Sequence, residues 1–204
     1  MPHVHASLEA DLTAGLADAK PLPLACAALA RALRAHAECN LAWIGGRLAQ
    51  RGTIDLGVLV DTPAGLLLPT VRDADQLGMV ELAAALAQVA ARARAGSLRS
   101  DDYAPRSATV SNLGMYAVDR FDGVIAAPDV LLLTVGRVRT VPRWHDGSWA
   151  PCQVADLTLA FDHRALDGAD AGRLLTAMER LLREPTELHR AAPRRHGLRW
   201  SPWS

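Results

Sequence analysis

The stretch LTLAFDHRALDGADAGRLL, residues 157–175, is the most informative part of the chain because it joins a buried strand to an amphipathic helix. Alternating apolar residues predict a strand over Cys152–Phe161. A stripe of leucines and one methionine predicts a helix over Gly168–Arg183. The segment between these elements, Asp162–Gly168, is the densest polar cluster of the chain, so it is the first candidate for a functional site.

His163 stands at this junction, where a strand end can hold a side chain rigidly while its ring faces a cleft. Histidine suits general-base catalysis because its ordinary pKa lies near neutrality. Asp167, four residues on, can fix an arginine or orient the histidine loop, and Gly168 permits a tight entry to the helix. The alternative is a charged turn with an Asp/Arg pair and no catalysis, which spacing alone favours.

A second polar cluster contains Ser111, Asn112 and Gly114, and it reads as a strand that ends in a turn. A hydroxyl at a strand end can donate a hydrogen bond to a developing oxyanion. The more common arrangement is a Ser/Asn turn that satisfies its own backbone. Alone, this cluster is a weak indication of function.

The rest of the pattern alternates strands with helices, so we expect one α/β domain with a mixed sheet. Asp75 is expected to cap the second long helix and Gly96 to close it. A hairpin turn is predicted at residues 145–147, with Trp144 and Trp149 paired across it. The other predicted elements are a strand over His3–Ala10, a helix over Leu24–Glu38, strands over Leu56–Val60 and Leu66–Leu68, a helix ending near Ala95, and a strand over Val130–Val138.

Composition narrows the functional classes. The 204 residues carry 22 basic and 22 acidic side chains, so no net charge draws the chain to nucleic acid or an anionic membrane. No apolar run approaches the ~18 residues of a membrane span, and the start lacks a signal-peptide pattern. Cys26, Cys39 and Cys152 are too few and too scattered for disulfides or a metal site. We expect a cytoplasmic protein without metal, in which these cysteines are not nucleophiles.

Three stretches together resemble the catalytic domain of dihydrolipoyl acyltransferases, the core component of 2-oxo acid dehydrogenase complexes. They are TVSNLGMY at 109–116, VLLLTVGRV at 130–138 and the opening stretch at 157–175. The resemblance continues upstream through GVLVDTPAGLLLPTVRDAD at 57–75 and PHVHASLEADLT at 2–13. It implies the CoA-dependent acyltransferase fold, which is chloramphenicol acetyltransferase-like: α/β, with a mixed sheet and flanking helices.

The motif also separates relatives within that fold. Chloramphenicol acetyltransferases and condensation domains usually carry a second histidine at the place of Asp162, whereas the DHRxxDG form here resembles the dihydrolipoyl branch. The resemblance extends to about Leu188. We therefore predict a catalytic domain over residues 1–188 and an Arg/Trp-rich extension over 189–204.

The resemblance implies specific roles. His163 is expected to be the general base that deprotonates the acceptor, Ser111 to stabilise the tetrahedral oxyanion, and Asp167 to support the site. The residues predicted to bind substrate are Asn112, Gly114, Arg164 and His5. His5 lies on the polar face of the first strand, where an exposed surface position is an equal alternative.

The resemblance also implies partners. Such subunits form homotrimers, with each active site in a channel between two subunits that contribute the histidine and the serine. Acyl-CoA is the expected co-substrate and enters one end of the channel, and a lipoyl thiol enters the other. Neither a covalently bound cofactor nor an acyl-enzyme is implied.

The chain departs from the family in three places. Lipoyl domains and the basic arm before the first strand are absent, and the glycine pair common before the SNLG strand is replaced by Ala104, Pro105 and Arg106. The extension after Leu188 does not resemble the apolar anchor of large cores. These features favour a stand-alone enzyme over a truncated core.

Three functions follow as hypotheses. The first is transfer of an acyl group, expected to be acetyl, from acyl-CoA to a small-molecule hydroxyl, as in tetronate-type natural-product pathways. The alternative is transfer to dihydrolipoamide within a 2-oxo acid dehydrogenase complex. The third is a non-catalytic scaffold that organises dehydrogenase partners, against which the intact DHRxxDG motif argues.

Overall fold

A computed structural model describes residues 2–193, so most of the predicted C-terminal extension, 194–204, lies outside the described residues. Eleven strands and three long helices form this part of the chain, joined by short 3-10 turns. The helices are α1 (Pro21–Ala35), α2 (Met79–Arg94) and α3 (Gly168–Arg183). The strands are β1 (His3–Asp11), β2 (Leu41–Ile44), β3 (Arg47–Gln50), β4 (Leu56–Val58), β5 (Val60–Thr62), β6 (Gly65–Leu67), β7 (Thr70–Val71), β8 (Ala108–Asn112), β9 (Leu131–Val135), β10 (Arg139–His145) and β11 (Ser148–Asp162).

The main sheet is mixed and has the strand order β1-β11-β9-β8-β4-β7, with β10 also paired to β11. β8 runs parallel to β4 and β9, and the remaining neighbours are antiparallel. Alternate residues of the central strands, such as Leu133 and Leu159, join the helices in one hydrophobic core. The predicted α/β class with a mixed sheet and flanking helices is confirmed.

The longest strand, β11, runs for 15 residues and pairs with β1, β9 and β10. It begins four residues before the predicted strand because the turn at Asp146 and Gly147 starts the ladder immediately. Both turn residues have positive φ, 47° and 84°, as a two-residue hairpin requires. The predicted pairing of Trp144 with Trp149 is confirmed, with ring centroids 5.4 Å apart.

The predicted bounds of α3 are confirmed, whereas the starts of α1 and α2 differ from the predictions. α1 begins at Pro21, where proline fits the first turn because its missing N–H is not needed there. The prediction that Asp75 caps α2 is wrong, since Gly78 is the N-cap and its N–H is bound by the Glu81 carboxylate. Asp75 is instead buried, and its carboxylate accepts a hydrogen bond from Arg34 at 2.7 Å.

The hairpin β2–β3 was not predicted. It turns through Gly45 and Gly46, whose φ angles are 56° and 77°, so a Gly-Gly pair between short apolar runs was the available signal. The hairpin lies beside the start of β9, where the N–H of Trp43 donates to the carbonyl of Pro128 at 3.0 Å. This contact brings Trp43 to the end of β11.

The long loop between β8 and β9 contacts the sheet face opposite the helices. The Thr134 hydroxyl donates to the Phe121 carbonyl at 2.8 Å. Gly123 packs on Leu132, and a Cβ built at Gly136 would lie 1.7 Å from the Asp119 carbonyl oxygen. Glycine is therefore needed at both positions, because no side chain fits between the loop and the sheet.

None of the helices within residues 2–193 is long and apolar enough to cross a bilayer.

We predict opposite effects of alanine at two glycines. Gly136→Ala should lower the free energy of unfolding by about 2–3 kcal/mol because the added carbon overpacks the loop. Gly172→Ala, at an exposed position of α3 with no atom near the added carbon, should raise it by about 0.5–1 kcal/mol through helix propensity. Denaturant unfolding of both variants measures this, and equal stabilities would contradict the packing described for the loop.

Candidate active site

The carboxylate of Asp162 organises the turn that follows β11. The side chain is fully buried, and it accepts hydrogen bonds from the backbone N–H of Arg164 at 3.1 Å and from its guanidinium at 2.6 and 2.9 Å. The indole of Trp43 donates to the same carboxylate at 2.8 Å. The Arg164 guanidinium carbon lies 4.6 Å from the Trp43 ring centroid, so the three side chains brace one another.

These hydrogen bonds keep Asp162 ionised. The bonds from Arg164 are the main reason that its pKa falls to about 2, although burial opposes the shift. The braced turn presents His163 at an exposed position, with its backbone N–H donating to the carbonyl of Pro2 at 3.0 Å. Its ring lies 5.8 Å from that of Phe161. A side chain so displayed is available to a reactant or to another subunit.

The sequence leaves open whether Asp167 fixes an arginine or orients the histidine loop. The guanidinium of Arg164 is bound by Asp162 and not by Asp167. Asp167 is the N-cap of α3: its carboxylate accepts from the N–H of Asp170 at 2.9 Å, and Asp170 accepts in return from the N–H of Asp167 at 2.9 Å. The backbone hydrogen bond from Asp170 lowers the pKa of Asp167. Aspartate is a preferred N-cap residue because it satisfies free N–H groups at a helix start. Asp167 therefore fixes where α3 begins, four residues after His163.

The serine cluster closes β8 as predicted. Ser111 and Asn112 are the last residues there, and both are half-buried. The Asn112 side-chain oxygen accepts from the N–H of Gly114 at 2.8 Å, which tightens the turn. A Cβ at Gly114 would lie 2.8 Å from the Gly136 carbonyl oxygen, so glycine is needed at this close approach. Ser111 itself projects from the sheet face opposite the helices, since Val110 points into the core.

One chain does not bring His163 and Ser111 together. Ser111 is level with Thr134 on β9, and Thr134 is level with Thr158 on β11. His163 follows Thr158 by five residues, and β9 lies between β8 and β11. Five residues along a strand and two inter-strand spacings place the two side chains about 20 Å apart. They lie at opposite ends of the sheet.

The other two predicted binding residues have partners within the chain. The His5 ring nitrogen Nε2 lies 3.1 Å from the Gly123 carbonyl oxygen and holds the β8–β9 loop against β1. Arg164 is bound by Asp162, although its side chain remains half-exposed. Contact of either residue with substrate stays a prediction.

A further buried carboxylate near the site, Asp129, was not predicted from the sequence; it is 1% exposed. It accepts from the Thr109 hydroxyl at 2.6 Å and from Arg106 Nε at 2.9 Å. Burial is the largest influence on the Asp129 pKa and raises it. The available signal was the replacement of a glycine pair by Pro105 and Arg106, because an arginine before a buried strand needs a partner.

The cysteines behave as core residues. All three are buried, and burial raises the pKa of the Cys26 and Cys39 thiols to about 12. A thiol with so high a pKa is a poor nucleophile. Within residues 2–193 no group of three or more His, Cys, Asp or Glu side chains is placed to hold a metal ion.

The chain matches a known family over most of its length. The model of the 2-oxoacid dehydrogenases acyltransferase (catalytic domain) family matches residues 2–190. A mitochondrial relative from Schizosaccharomyces pombe, the dihydrolipoyllysine-residue acetyltransferase component of pyruvate dehydrogenase complex, is 35% identical over 160 residues. That match covers 77% of this chain and 33% of the relative, so the chain spans about a third of the relative's length.

Solved structures agree. One was determined to investigate a serine, a histidine and an asparagine in the catalytic mechanism of Azotobacter vinelandii dihydrolipoamide acetyltransferase (E2p). It has a TM-score of 0.85 and 30% identity, and the match covers 92% of this chain and 84% of that one. A chloramphenicol acetyltransferase matches with a TM-score of 0.56 and 16% identity, covering 89% of this chain and 88% of that one, which shows a shared fold.

We predict that Asp162→Asn lowers the free energy of unfolding by about 3 kcal/mol, because it removes the buried negative charge that pairs with the Arg164 guanidinium. The matched control is Glu179→Gln, which removes a surface pair with Arg183 and should change the free energy of unfolding by less than about 0.5 kcal/mol. Denaturant unfolding at pH 7 compares the two.

The difference in unfolding free energy between wild type and Asp162→Asn should also depend on pH. The folded-state pKa of Asp162 is about 2, below the ordinary 3.8, so ionised Asp162 stabilises the fold above about pH 4 and this contribution is lost as pH falls toward 2. The stability difference between wild type and Asp162→Asn should therefore shrink over that range. A difference that stays constant from pH 5 to pH 2 would show that the charge of Asp162 is unimportant.

Proposed function

The chain belongs to the family of 2-oxoacid dehydrogenase acyltransferase catalytic domains, and from this we propose that it transfers an acyl group between CoA and the thiol of a dihydrolipoyl group. His163 is the proposed general base, Ser111 the oxyanion donor, and Asp167 the N-cap that fixes the start of α3 after His163. The curated relatives are about three times as long as the matched region, so the proposal concerns this catalytic unit.

The spacing of the site residues is the observation that carries the proposal. In the Azotobacter vinelandii enzyme, 52 residues separate the investigated serine from the histidine, and the asparagine follows four residues later. Ser111, His163 and Asp167 have the same two spacings here. The chain differs in carrying aspartate at the third position, where it caps α3. A carboxylate there keeps the N-cap bond that an asparagine would also make.

The proposed chemistry is direct transfer. His163 takes the proton from the acceptor S–H, and the sulfur attacks the thioester carbonyl of acyl-CoA to form a tetrahedral oxyanion. The Ser111 hydroxyl donates a hydrogen bond to that oxygen. The intermediate then expels CoA by breaking its C–S bond, and the departing thiolate takes the proton from His163. Base catalysis and oxyanion stabilisation each contribute about 10²–10⁴-fold in such reactions.

A distance of about 20 Å between His163 and Ser111 in one chain is too long for them to act on one carbonyl. We infer that the histidine of one subunit meets the serine of the next. A closed cyclic homotrimer, in which every subunit supplies one histidine and one serine, meets this requirement. The exposure of His163 at the end of β11 supports a role across an interface.

For the acceptor, the named relatives favour the second of the hypotheses drawn from the sequence over the first. The first hypothesis from the sequence, a small-molecule hydroxyl of tetronate type, has no support among them. The dihydrolipoyl thiol, which was the alternative, is favoured by relatives whose names specify a dihydrolipoyllysine residue. A thiol is also the easier nucleophile for a histidine base, because its pKa lies far closer to that of imidazole than an alcohol's does.

The test is incubation with acetyl-CoA and either free dihydrolipoamide or a panel of alcohols, followed by mass spectrometry. S-acetyl-dihydrolipoamide is the expected product. O-acetyl products with no thioester would restore the hydroxyl acceptor. Absence of all products, with no acyl-CoA binding by isothermal titration calorimetry, would overturn the enzyme proposal in favour of the scaffold.

We predict that His163→Ala lowers kcat/KM by about 10²–10⁴-fold and Ser111→Ala by about 10²–10³-fold, since each removes one catalytic group. The control is His145→Ala, which removes an exposed histidine at the hairpin turn and should leave kcat/KM within twofold or so of wild type. Sedimentation should show the same oligomer for all variants. Near-normal turnover by His163→Ala would refute the assignment of the base.

A further inference from the structure

The indole of Trp43 closes a ring of contacts at the end of β11. The backbone N–H of Trp43 donates to the carbonyl of Pro128 at 3.0 Å. Two residues further along the chain, the carbonyl of Val130 accepts from the N–H of Asp162 at 3.0 Å. The Trp43 indole N–H then donates to the Asp162 carboxylate at 2.8 Å. Asp162 is therefore fixed through its backbone and its side chain at the place where the β2–β3 hairpin meets the sheet.

Trp43 links the turn that carries His163 to another part of the chain. Within residues 2–193, the other hydrogen bonds recorded for the Asp162 carboxylate come from Arg164, which lies in the same turn. An ion pair between residues two apart can move with its turn as a unit, and the Arg164 side chain is 48% exposed. The indole comes from β2, so it is the side-chain contact that fixes this pair relative to the sheet.

The residues on both sides of His163 contact Trp43. Asp162 accepts the indole N–H, and the Arg164 guanidinium carbon lies 4.6 Å from the ring centroid. His163 stands between these two residues, so the direction of its Cα–Cβ bond follows from theirs. A general base must hold its nitrogen about 2.6–3.2 Å from the atom whose proton it takes. A displacement of about 1 Å can cost roughly 10²-fold in rate, so the orientation of this turn matters for catalysis.

We propose that Trp43 is a positioning residue for the base: its indole N–H, through Asp162, sets the orientation of the turn that aims His163 at the acceptor thiol. This inference rests on the proposed acyl transfer and assigns a further residue to it. Trp43 acts on the geometry of proton transfer and not on substrate binding. Its loss should therefore lower kcat and leave KM nearly unchanged.

The experiment measures kcat and KM of the full-length protein with acetyl-CoA and dihydrolipoamide. Trp43→Phe keeps an aromatic ring beside Arg164 and removes the N–H donor, so kcat should fall by about 10- to 100-fold while KM stays within about twofold of wild type. Trp149→Phe is the matched control, because Trp149 is 68% exposed on the β10–β11 hairpin, and it should keep the wild-type kcat. A wild-type kcat for Trp43→Phe would overturn the proposal.

A loss of folded protein would also lower kcat, and a double-mutant cycle with His163→Ala separates the two causes. If Trp43 acts by aiming His163, Trp43→Phe should change the residual rate of His163→Ala by less than about twofold, because no base remains to be aimed. A purely structural role for Trp43 would lower the rate by the same factor in both backgrounds. That result would overturn the proposal even if kcat of the single variant falls as expected.

The outcomes separate this inference from the proposed function. Absence of acyl transfer by wild type would overturn the proposed function, and the order of the His163 side chain then decides the role of Trp43. Relaxation of the ¹³C-labelled His163 ring, measured by NMR and assigned with His163→Ala, reports that order. Trp43→Phe should lower the order parameter of the ring and Trp149→Phe should not. Equal order parameters in wild type and Trp43→Phe would show that Trp43 does not position His163.

Discussion

The buried carboxylate of Asp162 is the interaction on which the candidate site depends. A charge with no solvent access is stable only when hydrogen bonds replace its water, and Asp162 obtains them from Arg164 and Trp43. Satisfying the carboxylate draws the β2–β3 hairpin to the end of β11 and shapes the turn that carries His163. The position of the proposed base is therefore set by electrostatics, and its exposure follows from the strand that ends beneath it.

The sheet register adds the second constraint. β9 lies between β8 and β11; it runs parallel to β8 and antiparallel to β11. The C-terminal ends of β8 and β11 therefore lie at opposite ends of the sheet. Both site motifs lie at the C-terminal ends of strands, so this topology separates them within a chain, and an active site that needs both must form between chains. The sheet face that carries Ser111 also carries Thr109, which shares the Asp129 carboxylate with Arg106.

The motifs, the sheet class and the β10–β11 hairpin could be predicted because their signals are local: alternation, turn residues and the DHRxxDG sequence. The features that were missed or misassigned depend on contacts between distant residues. Asp75 reads as a helix cap until Arg34 of another helix is seen to bind it. The need for glycine at position 57 of β4 is visible only in the structure, where a Cβ would lie 2.4 Å from Cδ of Arg106. The separation of His163 from Ser111 within one chain was expected only through the family resemblance, because it depends on the strand order, which no single stretch of sequence encodes.

In the proposed trimer, one active site takes its base from one subunit and its oxyanion donor from another. Mixed oligomers of His163→Ala and Ser111→Ala chains, formed by co-expression and verified by native mass spectrometry, test it most directly. Random assembly of equal amounts into cyclic trimers should restore about one quarter of wild-type turnover, because that share of interfaces joins an intact histidine to an intact serine. Mixed oligomers that remain as inactive as either variant alone would contradict a shared site.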